Sequence, residues 1–224
     1  MDRRKDWTQR QDQLRKLLAS KTHFDEAIVL FLSQHAAVHT ARVSGAVGWS
    51  LPDEVLAGLS EAQIKRIPHP GQNSIAWLLW HITRIEDMTI NTLAVGQPQV
   101  WSQAWAAHLA YPLPDCGASM EMADVEEFSA QICAPVLIEY RAAVGERTRQ
   151  VIGSLSALRA REIVPTSTVQ QLVDEGSIGS RANWLFEYYT RRTRAFFLTR
   201  TATSHNFIHL NEAGRVAARF VKAG

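Results

Sequence analysis

Three observations in this 224-residue chain predict an all-α fold. Apolar residues recur at helical spacing along most of its length. No run of alternating apolar and polar residues sits between hairpin turns. Prolines and glycines gather in a few connecting segments instead of punctuating the chain at strand-like intervals.

The elements follow in order. A short amphipathic helix is expected over 8–19 and a longer one over 24–43, with Ile28, Phe31, Leu32, Ala36 and Val43 on its apolar side; Gly45 and Gly48 loosen its end. Residues 50–72 hold Pro52, Pro68, Pro70 and Gly71 and read as one or two short turns of helix crossing between long elements. Asn73 or Ser74 then caps a helix over 74–95, whose stripe Ile75, Leu78, Leu79, Ile82, Ile85, Met88 and Leu93 faces a core and which stops at Gly96. Residues 97–117, with Trp101, Trp105, Tyr111, Pro112 and Pro114, suggest an irregular crossover anchored by aromatic rings. A short helix is expected over 124–132. Pro135 suits the first position of a long helix reaching about 158, because its missing amide would be unpaired there anyway. A second irregular segment carries Pro165, Gly176 and Gly179; helices over 182–198 and 204–221 complete the chain. Four long helices, two extended crossovers and extra short helices make a bundle in one domain, 1–224, of the kind that builds metal and cofactor sites from inward-facing side chains.

With 46% hydrophobic and 21% charged residues the chain reads as a soluble globular protein. Its formal charge of +2 gives no global reason to bind nucleic acid or an anionic membrane. Cys116 and Cys133 lack CxxC spacing, so reduced thiols and a cytoplasmic location are expected rather than a disulfide scaffold or a thiolate metal site. The charged start MDRRKDWTQRQDQLRKLL never reaches the apolar core of a secretory signal. Apolar runs such as 27–32 and 75–80 are far shorter than the roughly 20 residues that span a bilayer.

Histidines carry the chemistry. Two pairs stand four residues apart, His205 with His209 and His35 with His39, where chance among the 8 histidines gives roughly 0.3 such pairs. Spacing alone does not separate a ligand pair from a solvated or hydrogen-bonded one, so context must. The helical face through His205, His209, Glu212, Val216 and Phe220 is polar at its start and apolar at its end, as a site at one end of a bundle core requires. Glu212 stands where a carboxylate could accept the outer N–H of His209 and fix its tautomer, and is otherwise an ordinary surface acid. His81 lies beside the core stripe of its helix as a third imidazole or a buried core histidine.

The segments NSIAWLLWHITRIEDMTINTL and SHNFIHLNEAGRV resemble the DinB-like superfamily, which includes bacillithiol transferases and mycothiol-dependent maleylpyruvate isomerases. The resemblance implies an up-down-down-up four-helix bundle holding a divalent metal through one histidine on its second long helix and two on its last; the matching positions are His81, His205 and His209. The specific motifs cover about 35 residues, although the order of elements matches most of the chain. Residues 1–23 form an N-terminal extension, and the helix over 182–198 is an insertion relative to the shortest members.

Three neutral imidazoles leave a divalent ion, Zn, Ni, Fe or Mn, with open positions. The expected activity is therefore a metal-dependent transferase or hydrolase, best defined as a low-molecular-weight thiol attacking a small electrophile. The alternative is a non-catalytic, stress-related metal-binding bundle, because Glu212, Glu86 and Asp87 are the only general-base candidates and none is unmistakable. His35 and His39 either line the same cavity, as a proton shuttle or supporting ligands, or are a solvated or core pair. His23, His69 and His108 fall at helix ends or loops and should be solvated. The basic run 190–194, with Arg200, is either solvated or binds an acidic thiol cofactor or phosphate; Trp77, Trp80, Trp101, Trp105 and Trp184 read chiefly as packing. An apolar face over residues 7–18 suggests a homodimer, and a small molecule is the expected partner.

Overall fold

The computed structural model of the chain describes residues 2–20, 22–45 and 48–222. Side-chain caps start several of its helices. Helix α1 (Arg3–Ala19) begins where the Asp2 carboxylate accepts the Arg4 amide, and α2 (Phe24–Val38) follows. The predicted helix over 24–43 ends early, because the carbonyls of Val38 and His39 are taken by side chains: Arg141 donates to the first at 2.7 Å and Ser50 to the second at 2.9 Å. A separate turn, α3 (Ala41–Ser44), closes on the left-handed Gly45. Two serine-capped short helices, α4 (Leu51–Leu56) and α5 (Glu61–Lys65), make the expected crossing.

Ser74, one of the two predicted caps, accepts the Trp77 amide at 3.0 Å and starts α6 (Ile75–Glu86). The helix then widens without a break into a π-helix, Asp87–Val95, that ends at Gly96 with φ 74°. The crossover expected to be irregular contains α7 (Gln103–Leu109), capped by Ser102; α8 (Met122–Gln131) follows. Pro135 stands second in α9 (Ala134–Val151), one residue inside the predicted start, and α9 tightens into a 3₁₀ turn at Ile152–Ser154 instead of reaching 158. The second irregular segment contains α10 (Ala157–Ala160) and α11 (Thr166–Asp174).

The predicted helices over 182–198 and 204–221 are divided elsewhere. Helix α12 (Asn183–Tyr189) is separate, and the chain extends at Thr193 to pair with Ile163 in an isolated antiparallel bridge. From there one long rod runs through α13 (Arg194–Thr199), a π-helix (Arg200–His205) and α14 (Asn206–Lys222). The four long members are thus α2, α6 with its π extension, α9, and this last rod, and α6 packs against both α9 and α14. Among the described residues there is no strand.

Both π segments lie at the bundle centre and touch. The hydroxyls of Thr89 and Thr201 are 2.6 Å apart, and each also reaches back to a carbonyl four residues earlier, Ile85 and Phe197. Threonines bonding backward in this way compete with backbone amides, and π segments recur at functional sites. The second π segment delivers His205.

The extension packs on the bundle. Trp7, Leu14 and Leu18 of α1 are buried, α1 lies along α2, and the Trp7 ring stacks on Phe207 at 4.2 Å. The apolar face expected to meet a second copy is therefore covered by the chain itself. Among the described residues no helix is long and apolar enough to cross a membrane.

Candidate metal centre

The bundle brings His81, His205 and His209 together. One ring nitrogen of each lies within 4.8 Å of the others, and the ring centroids are 4.6 to 5.2 Å apart. His205 and His209 share one helical face, and α6 supplies His81 from across the interface.

The tautomers are fixed by what the outer nitrogens touch. His81 Nδ1 donates to the Cys116 carbonyl at 2.7 Å, and His209 Nδ1 donates to the Glu212 carboxylate at 3.0 Å. With Nδ1 carrying the proton, Nε2 of each ring keeps a free lone pair, the arrangement metal-ligating histidines show. His205 Nδ1 is buried and has no hydrogen-bond partner, the kind of orphan that a bound ion or water satisfies. Burial pushes the His81 pKa down to about 4 and, with the neighbouring His81 ring, holds His205 well below its usual range. Both are neutral near pH 7, as ligation requires. The hydrogen bond from His209 holds Glu212 below the usual carboxylate value. The donor set therefore fits a divalent ion.

The crossover that sequence reading leaves irregular is clamped by α6. Arg84 Nε, Trp80 Nε1 and His81 Nδ1 donate to the successive carbonyls of Pro114, Asp115 and Cys116 at 2.9, 2.9 and 2.7 Å. Gly117 completes the turn with φ 82°, where a β-carbon would come within 3.1 Å of Trp77 Nε1. Trp77 in turn stacks on His81, the rings 4.9 Å apart and 6° from parallel. The tryptophans thus divide: Trp80 and Trp101 pack edge-on in the core, whereas Trp77 and the exposed Trp184 line a cavity of about 550 Å³ beside His81 and His205. Tyr188, Tyr189, Met120 and Met122 make further walls.

His35 and His39 do not line this cavity. They close on Glu86, whose carboxylate receives His35 Nε2 at 2.8 Å, His39 Nε2 at 2.9 Å, Thr148 at 2.9 Å and Asn206 at 2.8 Å, all of them buried. Their spacing also satisfies a three-ligand metal cluster. Burial opposes the charge on Glu86, but the facing imidazoles and their hydrogen bonds hold its pKa well below the usual range. Burial likewise pushes His39 down to about 3, so its imidazole is a neutral donor. The buried guanidinium of Arg141, which bonds the Val38 carbonyl and Asn206, compensates the carboxylate. A divalent ion added there would leave two positive charges uncompensated in the core, so the arrangement is read as a structural node, the core pair of the two expectations for His35 and His39.

The remaining general-base candidates are committed as well. Asp87 accepts from Tyr140 at 2.6 Å, from Arg84 and Asn91, and from the amides of Val100 and Trp101. Burial raises the Cys116 thiol to about 12, which removes it as a nucleophile. The basic run also has structural work: Arg194 donates to the carbonyls of Leu93 and Ala94 at the end of the first π segment, and Arg192 lies over Tyr188 and Phe196. His23, His69 and His108 are exposed, as expected. Glu86 and its four donors were not legible from the histidine spacing, since no local motif joins residues so far apart in sequence.

Comparison with known proteins bears on the fold and the family. A search of curated proteins finds no match. Among solved structures the chain is similar to a crystal structure described as the conserved protein of locus from Enterococcus faecalis, with a TM-score of 0.54, 20% identity, and coverage of 85% of this chain and 96% of that one. At that identity the likeness concerns the fold. The family model of the DinB superfamily matches residues 47–213, a span containing all three clustered histidines. The chain therefore belongs to the DinB superfamily.

Proposed function

We propose that this protein is a divalent-metal-dependent enzyme in which His81, His205 and His209 hold Zn, Ni, Fe or Mn, and in which a low-molecular-weight thiol attacks a small electrophilic molecule. Hydrolysis, with water in place of the thiol, is the variant of the same reading. The observation that carries it is that His81 and His209 each commit Nδ1 to an acceptor, leaving Nε2 free, while ring nitrogens of the three histidines lie within 4.8 Å of one another and His81 and His205 line an aromatic cavity. When bound, such an ion lowers the pKa of a coordinated thiol or water. The chain contributes orientation: Cys116 and Glu212 hold the imidazoles, Trp77 covers His81, and the apolar walls exclude water around the substrate. With Glu86, Asp87 and Cys116 committed elsewhere, the nucleophile must arrive with the co-substrate, a requirement a cytoplasmic thiol meets. A single domain over 1–224, acting on a small molecule rather than on nucleic acid or a membrane, is part of this reading.

Elemental analysis of the purified protein tests the site. We expect up to one divalent ion per chain, lost in His81→Ala and His209→Ala; no affinity above background would sink the reading. A non-catalytic metal-holding bundle is the second reading, favoured by Glu212 being tied to His209. A panel of thiols with electrophilic acceptors separates the two, since metal-dependent conjugation belongs to the first and bound metal with inert chemistry to the second.

A further inference from the structure

The cavity beside His81 and His205 is largely apolar and aromatic, and among the described residues Arg200 is the one charged side chain that lines it. Arg200 is exposed, and among the described residues its guanidinium makes neither a hydrogen bond nor an ion pair, in contrast to Arg84, Arg141 and Arg194. It also lines an adjoining groove of about 480 Å³ between α1 and the last rod, together with Arg4, Arg15 and Arg215 and without any carboxylate. Arg15 is paired with Asp12 and Arg215 acts on the Glu212 carboxylate, whereas the guanidinium of Arg4, like that of Arg200, makes no hydrogen bond or ion pair among the described residues. An aromatic chamber with one cation at its rim that makes no hydrogen bond or ion pair, next to a groove lined by further arginines, is the complement of a molecule with an apolar body and one acid group.

We propose that the cavity takes an amphipathic carboxylic acid, its aryl or alkyl body between Trp77, Trp184 and Tyr188 beside the histidines and its carboxylate on Arg200. This ligand class rests on reading the cavity as the substrate site. A guanidinium offers a carboxylate two parallel N–H donors, so the acid is recognised by shape as well as charge. The acid group anchors the molecule at the rim and leaves its apolar part facing the imidazoles.

The test is calorimetric titration of the full chain, zinc-loaded and metal-free, with 4-phenylbutyrate and its uncharged primary amide. The acid should bind about tenfold more tightly than the amide in both forms. Arg200→Gln should abolish that preference while leaving metal content and melting temperature unchanged, and Arg200→Lys should retain part of it. Equal binding of acid and amide, binding of neither up to their solubility, or a preference that persists in Arg200→Gln would each overturn the proposal. So would a preference confined to the zinc-loaded form, which would make the metal the partner of the carboxylate. If the chain binds no zinc yet keeps the acid preference, the metal reading fails and this one stands.

Discussion

His81 Nδ1 lies 2.7 Å from the carbonyl oxygen of Cys116, so the crossover between α6 and α8 orients a ring of the histidine cluster. The Cys116 amide is itself held, donating to the Ser177 carbonyl at 3.1 Å. Gly117 is the residue that suits this turn, since its φ of 82° and its close contact with Trp77 both disfavour a side chain. Gly117→Ala should destabilise the metal-free protein by about 1–3 kcal/mol from backbone strain and overlap. It should also weaken zinc binding, as competition titration with a chromophoric chelator would show; unchanged affinity would mean that the carbonyl does not orient His81.

Glu212 acts on His209 from a partly exposed position, so its removal should spare the fold. Glu212→Gln should lower metal affinity roughly tenfold or more, with little change in melting temperature. Loss of stability without loss of affinity would assign the carboxylate to the fold alone.

Glu86 joins α2, α6, α9 and α14 through four side-chain donors. Removing the carboxylate strands the donors and leaves the buried Arg141 without its compensating charge. Glu86→Ala should cost about 3–5 kcal/mol in urea unfolding. Protein that still folds should keep its affinity for metal, because His81, His205 and His209 do not contact Glu86. A loss of metal in folded protein would place the two clusters in one unit.

Acid should destabilise the metal-free chain. His39 has its pKa pushed down to about 3 by burial, whereas in the unfolded chain it takes a proton near 6.5. Below about pH 6.5 the unfolded state therefore binds more protons, and stability falls with pH, by about 2 kcal/mol per such histidine at pH 5. His81, held at about 4, adds in the same direction and window. Thermal unfolding between pH 7 and 5 checks this, and His39→Gln should flatten part of the slope. A profile level over that range would show that these rings are not buried in neutral form.

The pair His35 and His39 shows where sequence reading stops. Its four-residue spacing equals that of His205 and His209, yet one pair closes on a carboxylate and the other on a third imidazole. What distinguishes them is the residue each meets across the interface, Glu86 or His81, and helix-to-helix register is not a local property. The boundaries failed for a similar reason. The helix predicted over 24–43 stops at Val38 because Arg141 and Ser50, distant or later in the chain, take its last carbonyls.

By itself the sequence determined the all-α class, the start of α6 to within the two caps Asn73 and Ser74, the start of α9 to within one residue of Pro135, and the candidate trio His81, His205 and His209, because periodicity, capping and short motifs act within a few residues. Only the tertiary structure decided that Glu86 belongs to a charge-compensated node, that the first helix covers its own apolar face, and that the Cys116 carbonyl fixes the tautomer of His81. Hydrogen-bond satisfaction in a buried interior depends on which groups the packing of separate helices brings within about 3 Å, and no spacing along one chain segment encodes that.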